Sequence, residues 1–297
     1  MNIPLSTSIH LFFDSKTSPT LNAQIERHID AGFRFLDFNF LDWASADDLP
    51  FMRDGWRAWL ESGRKTAEAR GARFNQAHAP MPVCCLGQEY EKYVRACVRA
   101  FDGAQLLGIP WMVFHHLPPK AYGFADKWDA DRRFFERMQA EAHRTGVGIA
   151  VENLFCGGEI DGKTVLPVEY PLRLAEYFDD PLIGICCDVG HAHIEKFNRV
   201  SPDDSVNPAD AIRRYGDRLK ALHIHDNSGA GDEHIPPFYG SINWADVIAA
   251  LRDIRYAHSF TFEAHNTARR FPESEKDRAA AHLYQTGVYL VGQLNAE

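Results

Sequence analysis

The feature that most constrains this chain is an eightfold alternation between short apolar runs and longer stretches with helical periodicity. The runs predict strands over residues 5–13, 33–40, 72–78, 110–115, 146–152, 182–188, 219–225 and 259–263. Their largely continuous apolar character is typical of parallel strands that are covered by helices on both faces. Because eight strand–helix units close into a barrel, we expect an α/β protein with a single (β/α)₈ TIM barrel domain over residues 1–297.

Helical periodicity between the runs supports the same architecture. It covers residues 24–31, 88–107, 129–145, 171–178, 209–215, 244–252 and 275–293. Gly32, Gly108 and Gly146 each precede a predicted strand, as expected of residues that end helices. The alternative architecture is an open doubly wound sheet, which often carries a glycine-rich phosphate loop after its first strand. The sequence after Phe13 has no such loop, so the closed barrel is favoured.

Six of the apolar runs end in side chains that can bind a metal ion. These side chains are His78, His115, Glu152, Asp188, His223 with His225, and Glu263. The ends of barrel strands converge on one face, where we expect these side chains to meet. A carboxylate that ends an apolar run needs a cation, and Lys and Arg are nearly absent from the strand ends. A divalent metal bound by Glu152, Asp188, Glu263 and one imidazole is therefore favoured over an internal ion-pair network.

Several further polar residues have more than one interpretation. Taken singly, His78 and His115 are more typical of satisfied polar residues or substrate contacts than of metal ligands. His191 has the chemistry of a ligand for a second metal, of a substrate contact or of a loop residue, and we favour substrate contact. Asp232 and His234 are expected to form a solvated pair, a substrate lid or another metal clamp.

Composition and charge limit the partners of the protein. The chain is 45% hydrophobic and 25% charged, as in a globular protein with a large core. Its formal charge of −9 argues against a nucleic-acid partner. The first residues lack the positive charge of a secretory signal and the apolar residues 9–13 are too few to span a bilayer, so we expect a cytoplasmic protein with no membrane partner. A homo-oligomer is compatible with this composition.

The cysteines form no C-x₂-C pair that would indicate a zinc or redox motif, so we interpret them as ordinary buried thiols. They are Cys84, Cys85, Cys97, Cys156, Cys186 and Cys187.

The polar motifs form an ordered series along nearly the whole chain. They are His78-Ala79-Pro80, Glu152-Asn153, Asp188-Val189-Gly190-His191, His223-Ile224-His225-Asp226, Asp232-Glu233-His234-Ile235-Pro236-Pro237, Gly240-Ser241-Ile242-Asn243-Trp244 and Glu263. Each motif is short, but the series resembles the xylose-isomerase-like superfamily of TIM barrels. It is most similar to the sugar-phosphate isomerase/epimerase group, which includes the ketose 3-epimerases and inosose-handling enzymes.

This resemblance implies one divalent metal ion bound by Glu152, Asp188, His223 and Glu263. Mn²⁺ is the expected metal, with Zn²⁺, Co²⁺ and Fe²⁺ as alternatives. The choice of His223 over His225 rests on the resemblance, because residues two apart on a strand point to the same side. The implied reaction is proton abstraction next to a carbonyl of a sugar, in which the metal acts as a Lewis acid. One of the catalytic residues Glu152 and Glu263 removes the proton and the other returns one.

Substrate contacts are expected from residues around this metal. They are His78, His115, His191, His225, Asp232 and His234. Phe155, Trp43 and Phe238 lie near predicted strand ends, where an aromatic side chain can form an apolar wall against a sugar ring. Ordinary packing is the favoured interpretation of each of these three aromatic residues.

Three other functions fit parts of the pattern. Endonuclease IV, which cuts DNA at abasic sites with three Zn²⁺ ions, resembles this chain at His78, His115, Glu152, Asp188, His191, His223, Asp232, His234 and Glu263. The acidic charge and the lack of obvious basic or aromatic loops favour the sugar enzyme over this nuclease. A dehydratase or lyase acting on an oxidised sugar or glycoside shares the same first step. A sugar-binding barrel with a structural metal would not require two glutamates around the substrate.

Overall fold

Eight parallel strands form the centre of the protein, whose computed structural model describes residues 3–13, 20–82, 87–118, 124–194, 199–201 and 204–296. The strands are β1 Leu5–Ser8, β2 Phe35–Asn39, β3 Arg73–His78, β4 Trp111–Phe114, β5 Gly148–Glu152, β6 Ile183–Asp188, β7 Leu219–His223 and β8 Phe260–Phe262. Each lies inside one of the eight predicted runs. Every residue of β5 and β6 is buried, as expected for strands that are covered on both sides.

The sheet closes on itself. Its strand order is β7-β6-β5-β4-β3-β2-β1-β8, and all neighbouring pairs are parallel. A parallel bridge between Ile224, directly after β7, and Phe262 in β8 joins the two ends of this series. The backbone N–H of Ile224 donates to the carbonyl of Thr261 at 2.9 Å, and that of Glu263 donates to Ile224 at 3.1 Å. The predicted TIM barrel is therefore confirmed.

Eight long helices surround the strands. They are α1 Leu21–Asp30, α2 Trp56–Ala69, α3 Gly87–Leu107, α4 Phe124–Thr145, α5 Tyr170–Phe178, α6 Pro208–Tyr215, α7 Trp244–Asp253 and α8 Glu273–Asn295. Seven correspond to predicted segments, whereas the sequence analysis did not identify α2. The buried residues of α2 are Leu60, Gly63 and Ala67, and of these only Leu60 has a large apolar side chain. Among the described residues, no helix combines the length and the apolar character needed to cross a membrane.

Local signals end the elements at both ends of the barrel. Gly146 follows α4 with a left-handed φ of 75°, a backbone conformation that glycine adopts without a steric penalty. The predicted first strand is shortened because Ser8 caps a 3₁₀ turn, Ile9–Phe12. The second ends in the same way, since the Asn39 side chain caps the short helix Phe40–Trp43. These turns place His10 and Asn39 at the carboxyl ends of β1 and β2.

Among the described residues, two short antiparallel hairpins, which were not predicted, lie outside the eight-stranded barrel. One pairs Gly158–Ile160 with Lys163–Val165, and the other pairs Arg199–Ser201 with Asp204–Ser205. The cysteine prediction is met where it can be examined, since Cys97, Cys186 and Cys187 are buried free thiols and Cys156 is a half-buried one. Cys84 and Cys85 lie outside the described residues.

Candidate metal centre

A cavity of about 410 Å³ opens at the carboxyl ends of the barrel strands. Its polar lining residues are His10, Asn39, His78, His115, His116, Glu152, Cys156, His191, Asp232, His234, Glu263 and His265. Its apolar lining residues are Leu41, Met81, Pro82, Pro118, Leu154 and Phe155. The polar strand ends therefore meet at one site, where apolar side chains also line the wall.

The first ligand cluster contains the four residues that the sequence analysis assigned to a metal. Ligand atoms of Glu152, Asp188, His223 and Glu263 all lie within 4.8 Å of one another. The Nδ1 atom of His223 is 3.2 Å from Glu152 Oε1 and 3.2 Å from Glu263 Oε2. It is 4.0 Å from Asp188 Oδ2. Three carboxylates from β5, β6 and the end of β8 thus surround one imidazole nitrogen from β7.

A second cluster shares Glu152 with the first. His78, at the end of β3, and His115, directly after β4, join Glu152 in a group of possible ligands. The Nε2 atoms of the two imidazoles are 3.1 Å apart, and that of His115 is 3.0 Å from Glu152 Oε2. This Oε2 atom is buried and receives no hydrogen bond of good geometry from the described residues, so its lone pairs are available to a cation.

A third cluster comes from the loops after β6 and β7. It contains His191, His225, Asp232 and His234. The carboxylate of Asp232 is 2.9 Å from His234 Nε2 and 3.7 Å from His191 Nε2. His225 lies against the first cluster as well, with its Nε2 atom 3.0 Å from Asp188 Oδ1. The three clusters are therefore neighbours around one cavity.

Hydrogen bonds between strand ends hold the first and third clusters in register. The Asn153 side chain accepts a bond from the backbone N–H of Asp188 at 2.8 Å and donates to its carbonyl at 2.9 Å. Asp188 in turn caps a short helix, Val189–His193, by accepting a bond from His191 N at 2.7 Å. A Cβ atom on Gly190 would approach the His225 ring within 1.9 Å, so only glycine allows this close packing.

The loop after β7 is folded around the buried carboxylate of Asp226. Asp226 accepts bonds from the backbone N–H of Phe238 at 2.9 Å and of Ile242 at 3.2 Å, and from Trp244 Nε1 at 2.9 Å. His234, inside this loop, has a left-handed φ of 45°, which is uncommon for residues other than glycine. The motif from Asp226 to Trp244 therefore fixes the loop that presents Asp232 and His234.

Backbone carbonyls orient three of the imidazoles. The Nδ1 atoms of His78, His191 and His234 lie 2.7, 2.8 and 2.8 Å from the carbonyl oxygens of Ala79, Asn153 and Glu263. A carbonyl can only accept, so each Nδ1 carries a proton in its hydrogen bond. In the neutral ring the Nε2 lone pair then faces the cluster, as a metal ligand requires.

The carboxylates and imidazoles perturb each other strongly. Burial would raise the pKa of Glu152, but His223 and His115 hold it well below its usual value. Burial would lower the pKa of His191, whereas Asp188 and Asp232 raise it to about 10. The pKa of His234 is raised to about 9 for the same reason, with Asp232 opposing burial. The metal-free site is therefore balanced by protons on its histidines.

The donor set fits a divalent metal. Within the described ranges, the ion-pair partners of Glu152, Asp188, Asp232 and Glu263 are all histidines, with no Lys or Arg among them. Mixed imidazole and carboxylate ligands suit Mn²⁺, Zn²⁺, Co²⁺ and Fe²⁺. The buried clusters are thus consistent with a metal site, and the donors alone do not select among these ions.

Two candidate substrate contacts are not among the described residues that line the cavity. Trp43 is buried between Phe13 and Trp59, in agreement with ordinary packing, which was the favoured interpretation. His225 is fully buried against Asp188.

Phe155 is placed as expected of a wall residue. It is 36% exposed, lines the cavity, and its ring centroid lies 4.4 Å from that of His191. Phe238 is 55% exposed and packs on Trp244 and Tyr289, away from the described cavity lining.

The sequence analysis missed four residues at or near the site. His10, Asn39 and His265 line the cavity, and Asp37 lies buried near His223. Asp37 and Asn39 alternate with apolar residues inside one predicted strand, which is a signal for side chains that face the barrel interior. His10 and His265 follow strand ends in turns, where sequence position alone does not define direction.

Comparison with known proteins places the chain in a family. A curated protein of Sinorhizobium fredii, "Uncharacterized protein y4fM", is 30% identical over 167 residues, which are 50% of this chain and 49% of that protein. The D-psicose 3-epimerase of Enterocloster bolteae is 36% identical over 81 residues, or 27% of this chain and 22% of that enzyme. The chain therefore spans about half of the length of the first relative and about a fifth of the second.

Solved structures share the fold over the whole chain. The crystal structure of a D-tagatose 3-epimerase-like protein has a TM-score of 0.71 at 17% identity, and the alignment covers 99% of this chain and 100% of that one. The family model described as "Xylose isomerase-like TIM barrel" matches residues 25–286. Because this match includes most of the chain, the protein belongs to the xylose isomerase-like TIM barrel family.

Proposed function

We propose that the protein is a metal-dependent sugar epimerase or isomerase that moves a proton at a carbon next to a carbonyl group. The observation that carries this proposal is the position of two glutamates. Glu152 and Glu263 both line the cavity, and their carboxylates belong to one cluster with Asp188 and His223. A pair of carboxylates that borders a substrate cavity beside a Lewis acid suits proton removal and return.

The substrate class follows from the cavity lining and from the relatives. The described lining residues include neither Lys nor Arg, so no fixed positive side chain is present to bind a phosphate group. Imidazoles, Asn39 and carboxylates instead offer hydrogen bonds that suit sugar hydroxyls. One relative is named D-psicose 3-epimerase and another D-tagatose 3-epimerase-like protein, and both names refer to a ketose without a phosphate group. We therefore propose an unphosphorylated ketose or a keto sugar derivative.

In this proposal, Glu152, Asp188, His223 and Glu263 would hold one divalent metal. When bound, the metal would supply Lewis-acid chemistry beside the substrate carbonyl. A carboxylate oxygen of Glu263 or Glu152 takes the proton from carbon, and the other glutamate delivers one to the same carbon or its neighbour. Both side chains are deeply buried, with 12% and 1% of their side-chain surface exposed. Burial excludes bulk water and keeps the transferred proton within the site.

Histidines around the metal residues orient the substrate. His115 and His191 face the cavity with 13% and 5% of their side chains exposed, and they are proposed to hold substrate hydroxyls. His78, Asp232 and His234 line the same space and share this proposed role. Phe155 offers an apolar face for the C–H side of a sugar ring.

Isotope exchange tests the proposal directly. Metal-loaded protein is incubated with a panel of ketoses in heavy water, and deuterium is expected on the carbon beside the carbonyl. Glu263→Gln is expected to lose this exchange while the fold persists, because an amide cannot accept the proton. Glu91→Gln is the matched control, since Glu91 lies on the surface of α3 and pairs with Arg137. Absence of exchange across a broad panel, or unchanged exchange in Glu263→Gln, would contradict the proposal.

The same experiment separates the elimination reaction from epimerisation. A dehydratase or lyase uses the same first proton transfer, but it then expels a hydroxyl or glycosyl group from the adjacent carbon. Oxidised sugars and glycosides therefore belong in the panel. Loss of water or release of an aglycone, detected by mass spectrometry, would identify elimination, whereas an epimer of unchanged mass supports our proposal.

Three adjoining clusters favour a second candidate function. The first and second groups of possible ligands share Glu152, and the third group contacts Asp188 of the first through His225. Together the three groups include all the residues that resemble the ligands of endonuclease IV. A surface groove beside the loop after β7 is lined by the aromatic residues Tyr239 and Phe271 and by Arg270 and Arg278. These features suit a phosphodiester substrate. Three zinc ions per chain, with chelator-sensitive cleavage of a duplex containing an abasic site, would replace the sugar enzyme by this candidate.

A further inference from the structure

The imidazole of His223 is held differently from the other imidazoles around the cavity. His78, His191 and His234 each have one ring nitrogen bonded to a backbone carbonyl, as described above. The His223 ring instead directs Nδ1 towards the carboxylates of the first cluster. Its Nε2 atom is buried and has no hydrogen-bond partner among the described residues. No backbone carbonyl within the described ranges therefore fixes the orientation of this ring.

Asp37 lies on the Nε2 side of His223. It belongs to β2, across the barrel from β7, and it is 1% exposed. Both of its carboxylate oxygens are buried and have no hydrogen-bond partner in the described part of the chain. Its Oδ2 atom lies 4.0 Å from His223 Nε2. A buried carboxylate and a buried ring nitrogen thus face each other, and each lacks the partner that the other has the chemistry to supply.

We propose that Asp37 is a positioning residue for the metal ligand His223. The carboxylate accepts the Nε2–H of the imidazole, either after a small side-chain rotation or through one buried water molecule. This bond keeps the proton on Nε2 and leaves the Nδ1 lone pair directed at the first cluster. Histidine ligands almost always donate their second ring N–H to a carboxylate, a backbone carbonyl or water, because this fixes the tautomer and raises the basicity of the ligand.

This role for Asp37 rests on the metal site of the proposed function. It adds a residue that lies outside the ligand cluster. It also explains why a carboxylate remains in the barrel interior, where a buried charge is costly unless it is compensated. A metal ion bound at Nδ1 would polarise the imidazole, so that its Nε2–H would compensate the negative charge of Asp37 more strongly. Asp37 is therefore the expected counterpart, for His223, of the backbone carbonyls that orient His78, His191 and His234.

A thiol offers the competing explanation. Cys186, on β6, also lies against His223 and interacts with its ring. A neutral thiol is a much weaker hydrogen-bond acceptor than a carboxylate. Cys186→Ala therefore serves as the matched control, since it removes the other buried neighbour of the same ring.

Metal binding to the purified protein tests the proposal without any substrate. The affinity for Co²⁺ is measured by titration of its visible absorption bands in the wild type, Asp37→Leu, Asp37→Asn and Cys186→Ala. We expect Asp37→Leu to weaken binding about 10- to 100-fold. Asp37→Asn should fall between Asp37→Leu and the wild type, because its amide oxygen still accepts a hydrogen bond but carries no charge. Cys186→Ala should bind Co²⁺ as the wild type does.

Two further readouts exclude a merely structural role. In the Zn²⁺-loaded wild type, the ¹⁵N-coupled NMR signal of His223 should show a proton on Nε2 with the shift of a strong hydrogen bond, and this shift should be lost in Asp37→Leu. In the metal-free protein, the thermal midpoint of Asp37→Asn should be at least as high as that of the wild type. The amide has the same shape and still accepts a hydrogen bond, while a charge whose burial is costly is removed. Weaker metal binding combined with an undiminished metal-free midpoint identifies a positioning role.

The outcomes separate this proposal from the proposed function. Wild-type protein that binds metal, with equal affinity in a folded Asp37→Leu or Asp37→Asn, overturns the role of Asp37 and leaves the metal site intact. Loss of affinity in Cys186→Ala alone assigns the role to the thiol and also overturns the proposal. Wild-type protein that binds no divalent metal overturns both this inference and the proposed function.

Discussion

Among the buried charged groups of the described residues, those at the mouth of the barrel and those on the inner face of α4 balance their charge differently. On the inner face of α4, Lys127 and Asp131 are fully buried and form an ion pair. Asp131 also accepts bonds from Tyr170 Oη at 2.8 Å and from Leu117 N at 2.7 Å. Lys127 Nζ also donates to His116 Nδ1 at 3.0 Å. This cluster supplies its own cation, and both of its charged groups are hydrogen-bonded within it.

The mouth of the barrel contains carboxylates without such a cation. Among the described residues, the ion-pair partners of Glu152, Asp188 and Glu263 are all imidazoles. One carboxylate oxygen of Glu152 has no hydrogen-bond partner there. The contrast teaches that burial of charge is not by itself a sign of a functional site. A cluster with an internal lysine is complete as a structural element, whereas a cluster of acids and imidazoles is complete only with protons or a metal.

The largest expected effect comes from breaking the cluster at the mouth. Glu152→Gln removes the carboxylate that two ligand clusters share, so exchange of the substrate C–H proton should fall by about 10²- to 10⁴-fold. Metal content per chain should fall in parallel. Exchange kinetics and elemental analysis of the purified variant measure the two effects. Wild-type exchange with a full complement of metal would show that Glu152 has neither role.

Breaking the lysine cluster should affect stability instead of metal binding. Asp131→Asn leaves a buried, unpaired ammonium group, and we expect a loss of about 3–5 kcal/mol in the free energy of unfolding. Denaturant unfolding measures this loss, and the loss should be the same with and without metal. The double variant Lys127→Met/Asp131→Leu should recover most of it, because neither charge remains. A metal-dependent loss in Asp131→Asn would erase the distinction between the two clusters.

Metal removal sharpens the same distinction. A ligand that binds only the folded protein stabilises it by about 2.7 kcal/mol at a hundred times its Kd, so chelation should lower the Tm of the wild type by a corresponding amount. The shift should disappear in Glu152→Gln and persist in Asp131→Asn. Differential scanning calorimetry with and without chelator gives both values. Equal Tm values for chelated and metal-loaded wild type would show that the mouth is balanced by protons alone.

A further expected effect is the pH dependence of the metal-free protein. The pKa values of His191 and His234 are raised in the folded state to about 10 and about 9, from a usual value near 6.5. Stability from these protonated rings is fully present below pH 6.5 and is lost as the pH rises through 9 to 10. Unfolding free energies of chelated protein should therefore decrease over this interval. With metal bound the decrease should be smaller, because the ligands are unprotonated.

Much of the barrel could be predicted from the sequence. The eight strands were placed because each lies in a short, largely apolar run between stretches with helical periodicity. Six of these runs end in a side chain that can bind a metal ion. Glu152, Asp188 and Glu263 were predicted as metal ligands because each stands at or directly after a strand end and those ends must converge. His223 was preferred to His225 on the family resemblance alone. Helix α2 was missed although its residues follow a helical period; among its buried residues, only Leu60 has a large apolar side chain.

Only the tertiary structure decided how these residues meet. His223 and His225 are equivalent in sequence, but barrel closure places the first among three carboxylates and the second against Asp188. Trp43 stands near a strand end and still packs into the core. Packing between elements places Lys127 beside His116 and leaves the buried carboxylate of Asp37 without a hydrogen-bond partner among the described residues. Periodicity and motif order specify which side of a strand a residue occupies, whereas distances of 3–4 Å between side chains depend on register, closure and loop conformation, which the chain acquires only as a whole.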